Sequence, residues 1–89
     1  MNIQFQLFAK ARELVDQSSV MVRVNSVTPS SLATLQDAIH ELQHQYPQLS
    51  SDFLNKCRFA HNNTYVRQPN SLHLNANDVF VIIPPISGG

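Results

Sequence analysis

The stretch VFVIIPPISGG (79–89) passes from five consecutive apolar residues to two prolines and closes on the only two glycines of the chain, Gly88 and Gly89. Because Val79 to Ile83 is apolar at every position, it predicts a central strand covered on both faces. Pro84-Pro85 ends that strand, since two successive residues without an N–H cannot continue a ladder. Ile86, Ser87, Gly88 and Gly89 then offer no apolar repeat to fold, so 1–83 is expected to be the folded domain and 84–89 an extended tail. Six residues from Pro84 onward reach roughly 20 Å at about 3.3 Å per residue, enough to enter another protein's active site. Glycine has no Cβ, so Gly88 and Gly89 suit a channel too narrow for other residues and leave a terminal carboxylate open to attack.

Working outward from that strand, Ile3, Phe5 and Leu7 alternate with Asn2, Gln4 and Gln6, the period of a strand with one buried face. Good helix formers follow in AKARELV (9–15), which predicts a short helical turn before the polar residues 16–19. Val20, Val22 and Val24 alternate again as a second strand. Leu32, Leu35, Ile39, Leu42 and Tyr46 then recur at helical spacing, predicting the principal helix over roughly 31–46. Thr28 to Ser31 is the expected cap region, Thr34 the alternative cap, and Pro47 the stop. Arg58–His61 and Tyr65-Val66 predict a hairpin about Asn62-Asn63-Thr64, where Asn tolerates the left-handed conformation. The order predicts an α+β fold of one helix on a mixed sheet. It is similar to the ubiquitin-like β-grasp arrangement, although periodicity alone does not set the strand order.

Composition narrows the function classes. A chain of 89 residues with 43% hydrophobic and 13% charged residues predicts one small packed domain. Six Lys+Arg against six Asp+Glu give no net pull toward nucleic acid or an anionic membrane, so partners must be recognised by shape and local chemistry. Cys57 is the single cysteine, which excludes an internal disulfide or a zinc-type cluster and fits a reducing cytosol. MNIQFQLFAK (1–10) lacks the pattern of a secretory signal, and residues 79–83 are too few to span a bilayer, so a cytosolic location is expected.

IIPPISGG (82–89) resembles the end of the molybdopterin synthase small subunits, the MoaD-type sulfur carriers of molybdenum cofactor synthesis. The resemblance extends to LFAKARELV (7–15), TLQDAIHELQHQYP (34–47) and FAHNNTYV (59–66). One departure is Asn77-Asp78, where that family usually has Gly-Asp; Asn is the next best residue for a left-handed turn. The resemblance implies a β-grasp fold and a tail whose Gly89 is adenylated with ATP by an activating enzyme, then converted to a thiocarboxylate. No cofactor is implied as permanently bound. Sulfur on Gly89 is a better nucleophile than carboxylate oxygen. Gly89 would give it to cyclic pyranopterin monophosphate inside a large catalytic subunit, in a heterotetramer of two small and two large subunits. Gly88, Ser87, Ile86, Pro85 and Pro84 would serve access, the prolines projecting the tail stiffly. Phe8 and Ile83, both off the helix-facing pattern, are carried over as partner contacts, with completion of the core as the plainer reading. Related carriers use the same activated glycine for transfer RNA thiolation, thiamine synthesis or lysine conjugation, and a plain binding module remains the alternative from another class.

Other constellations are weaker. His40 and His44 have a chelating spacing but no evident third ligand, so solvated surface residues are expected. Asp37, His44 and nearby serines lack a nucleophile elbow or an oxyanion loop. Glycines only at the end exclude a Gly-rich phosphate loop. Cys57, beside Arg58 at the start of a strand, is expected to be a small buried hydrophobe rather than a persulfide carrier. Arg12, with Glu13 beside it, is expected to contact a partner, with ordinary solvated charges as the plainer reading.

Overall fold

The computed structural model describes residues 1–25 and 33–85. The chain forms β1 (Asn2–Leu7), α1 (Ala9–Val15), β2 (Ser19–Arg23), α2 (Leu35–Gln45), α3 (Ser51–Lys56), β3 (Arg58–His61), β4 (Thr64–Val66), a 3-10 turn (Pro69–Ser71) and β5 (Val79–Ile83). The strands make one mixed sheet in the order β2-β1-β5-β3-β4. β5 runs parallel to β1 and antiparallel to β3, so the apolar run of 79–83 does become the central strand. This is the β-grasp arrangement.

Alternation along each strand sends Ile3, Phe5 and Leu7, Val20 and Val22, Phe59, and Phe80 and Ile82 to one face, where they are buried. Phe5 anchors this layer, with its ring centroid 5.9 Å from Phe80 and 6.5 Å from Phe59, the latter pair edge-to-face. From the helices, Leu35, Ala38, Ile39 and Leu42 of α2, Ala11 and Val15 of α1, and Leu54 of α3 complete the same core.

The principal helix is shorter than its apolar stripe suggests. It begins at Leu35 rather than near residue 31, because Thr34 is extended at φ −114° and its backbone N–H donates to the Asp37 carboxylate at 2.8 Å. Ala33 is buried but non-helical, its carbonyl accepting from the Leu74 N–H at 2.8 Å. Leu32 and the expected cap region 28–31 lie outside the described residues. At the other end Tyr46 leaves the helix at φ −128°, directly before Pro47.

The hairpin turn is Asn62-Asn63, both left-handed at φ 52° and 65°, the two-residue geometry that continues the strand twist. Thr64 belongs to β4 rather than to the turn. Asn77 is likewise left-handed at φ 68°. Its N–H donates to the Asn2 carbonyl, while the Asp78 carboxylate accepts from the Asn75 N–H at 2.8 Å and lies 3.2 Å from His61 Nε2. Those bonds hold the turn that feeds β5. The helix α3 was not anticipated; Ser50 caps it by accepting from the Phe53 N–H at 3.2 Å.

Candidate functional site

The expectation that both faces of β5 are covered is not met. Helices cover the face of Phe80 and Ile82, but Val79 is 39% exposed, and Val81 and Ile83 on the same side are half-buried. Among the described residues no element packs over them, because the helices lie on the opposite face of the sheet. This outer face is extended by its neighbours, since Ala60 pairs with Val81 on one side and with Tyr65, 56% exposed, on the other. Together with the Asn62-Asn63 turn they line a shallow hollow of about 600 Å³.

Phe8 joins the same face. It follows β1 in extended conformation, φ −129° and ψ 156°, and shares the parity of Gln4 and Gln6 rather than that of buried Phe5 and Leu7. Leu7 pairs with Ile82, so Phe8 is level with Ile83 at the end of the sheet where the chain passes into Pro84. Phe8 is 51% exposed and Ile83 half-buried, so neither completes the inner core. Ala9, at φ 49°, turns the chain into α1, and the Phe8 carbonyl accepts from the N–H groups of Ala11 and Arg12 at 3.1 and 3.4 Å. That bond places Arg12 one helical turn beyond Phe8, with its side chain exposed. Glu13 beside it is also exposed.

The end of β5 is thus bracketed. Ile83 pairs with Arg58 of β3 on one side and lies level with Phe8 on the other. Pro84 is half-buried and Pro85 exposed. Ile86, Ser87, Gly88 and Gly89, on which the chemical expectation falls, lie outside the described residues.

The structure separates the rival constellations. Asp37 is engaged at the start of α2, while His44 occupies its last turn. His40 and His44 are both exposed, and His40 Nε2 lies 3.2 Å from the Gln36 amide nitrogen. Cys57 is only half-buried and caps the end of α3 rather than opening β3, a correction to both parts of its expected placement. Its thiol donates to the Phe53 carbonyl at 3.3 Å, and burial pushes its pKa up to about 11. A group held in the thiol form at neutral pH is a poor nucleophile.

Val79, Val81, Ala60 and Tyr65 were not singled out from sequence. The signal was present in β1: its outward residues Gln4 and Gln6 pair with Val79 and Val81, and glutamines beside a supposedly covered face indicate that the face is open.

Residues 5–89 match the ThiS family. The chain belongs to that family. Over the whole of both chains it is 36% identical to the molybdopterin synthase sulfur carrier subunit of Dictyostelium discoideum. The crystal structure of the small archaeal modifier protein SAMP1 from Haloferax volcanii superposes with a TM-score of 0.81 at 24% identity, covering all of both chains. A further likeness in fold is a chain in the protein-protein complex of subunits 1 and 2 of molybdopterin-converting factor from Helicobacter pylori, with a TM-score of 0.64 at 19% identity over all of both chains. Among the described residues no helix is long and apolar enough to cross a membrane.

Proposed function

We propose that this chain is the sulfur carrier subunit of a molybdopterin synthase and that Gly89 carries the sulfur. The observation that bears most weight is the 36% identity over the whole length of a relative bearing that name. The PPISGG ending supplies the chemical group, and the bare outer face beside the tail root supplies a place to dock.

The chemistry follows from the weakness of a carboxylate as an electrophile. An activating enzyme binds the tail and ATP, the Gly89 carboxylate attacks the α-phosphorus, and pyrophosphate leaves. The resulting acyl-adenylate has a good leaving group, so sulfur at the sulfide level attacks the acyl carbon and AMP departs, leaving a thiocarboxylate. Its polarizable sulfur is the nucleophile toward cyclic pyranopterin monophosphate, and hydrolysis returns the carboxylate after transfer. Two such transfers supply the two sulfurs of the dithiolene. The large subunit provides the acid, base and substrate-binding groups, and two small subunits serve two large ones. Activating enzyme and large subunit use the same tail in turn, each docking on the Phe8, Val81 and Ile83 face.

The test is mass spectrometry of the full-length chain incubated with an activating enzyme, ATP and a sulfur donor. A carboxyl-terminal peptide heavier by the exchange of one oxygen for sulfur is the expected product. Failure to load, or molybdopterin formation by a chain lacking Gly88-Gly89, refutes the proposal.

A further inference from the structure

On the far side of the β3–β4 hairpin a second recess lies between α2, α3 and the hairpin, with a volume of about 990 Å³. Its floor is apolar, made by Ile39, Leu54, Phe59 and Val66. Arg58, Arg67 and His40 stand at its rim, all exposed, and no Asp or Glu lines it. On the hairpin side the sequence accounts for this, since residues 53–77 contain Lys56, Arg58 and Arg67 but not one carboxylate, while Asp37, Glu41 and Asp52 of the helical side are not among the lining residues. Overall neutrality, six basic against six acidic residues, therefore conceals segregated charge.

Among the described residues neither Arg58 nor Arg67 lies within salt-bridge distance of a carboxylate. The Arg58 guanidinium instead lies 5.4 Å from the centroid of the Tyr65 ring. That cation–π contact orients the group and leaves its N–H fork available to an acceptor. Asn63 and Tyr65 line both this cleft and the outer hollow, so a chain lying on the outer face can continue round the hairpin into the cleft.

We propose that this cleft binds an extended acidic segment of a partner protein, its aliphatic side chains resting on the floor and its carboxylates at Arg58 and Arg67. A peptide fits these features better than nucleic acid does. Nucleic acid draws its affinity from many phosphate contacts, whereas this cleft offers two guanidinium groups above an apolar floor. The inference does not depend on the chemistry of the tail.

The experiment is an NMR titration of the isotopically labelled full chain with a capped hexapeptide of two central leucines flanked by glutamates. The expected result is shifts at Ile39, Leu54, Phe59 and Arg67, weakening about tenfold between about 0.05 and about 0.3 M salt as screening sets in. Arg67→Glu and Arg58→Glu, both at exposed positions, should each abolish the shifts while leaving the rest of the spectrum folded. No shift at millimolar peptide overturns the proposal. So does equal binding of the same peptide with lysine in place of glutamate, which makes the cleft merely apolar. Tighter binding of a short oligouridylate at the same residues overturns it in favour of nucleic acid.

Discussion

Truncation of Phe8 tests the outer face most directly. A phenylalanine side chain presents about 200 Å² of surface, and Phe8 is 51% exposed, so about 100 Å² remains for a partner to cover. At about 25 cal/mol per Å² that area is worth about 2.5 kcal/mol, or a loss approaching two orders of magnitude in affinity for Phe8→Ala. The other half packs on the protein's own surface, so the variant also loses about 1 to 2 kcal/mol of folding stability. Binding to the large subunit of molybdopterin synthase is therefore measured by calorimetry well below the melting transition, with circular dichroism establishing that the variant is folded. An affinity within about twofold of the unaltered chain, less than about 0.5 kcal/mol, refutes the placement of Phe8 in the interface.

The remaining expectations concern the strand beside it and the core. Ile83→Asp puts a carboxylate in the same contact and should weaken large-subunit binding by about 2 kcal/mol or more, and unaltered affinity of the folded variant would remove Ile83 from the interface. Phe80 is fully buried between Phe5 and His61, so Phe80→Ala should cost about 3–5 kcal/mol in a denaturant titration, and a loss under about 1 kcal/mol would contradict the packing. The Cys57 thiol, raised to about 11, should react with iodoacetamide at pH 8 far more slowly than free glutathione and accelerate as the pH climbs toward that value. Equal rates at pH 8 would place the thiol in solvent.

Particular residues show what was legible. The alternations in 2–7 and 20–24 and the Asn62-Asn63 turn are local, and local sterics with one buried face suffice to specify them. The start of α2 falls at the alternative cap, Thr34, rather than near residue 31, where the apolar stripe through Leu32 and the Thr-Pro-Ser-Ser segment pointed. The outcome at Thr34 depends on the Asp37 cap and on the Ala33–Leu74 and Leu35–Leu72 hydrogen bonds. The last two reach a segment distant in the sequence, Leu72 to Leu74. α3 has only Phe53 and Leu54 as apolar residues, too few to display a period, and it was missed although Ser50 is a plain cap.

By itself the sequence determined the strand at 79–83, its stop at Pro84-Pro85 and the glycine ending, because backbone chemistry at those residue types needs no distant partner. It also carried the family likeness that membership of the ThiS family bears out. Only the tertiary structure decided which side of β5 is bare. An apolar run reports that burial is favourable but not what is available to cover it, and here the helices among the described residues pack on the side of Phe80 and Ile82. Only the folded chain brings Phe8, Ile83 and Arg58 to one end of the sheet, since the parallel pairing of β1 with β5 joins segments from opposite ends of the sequence.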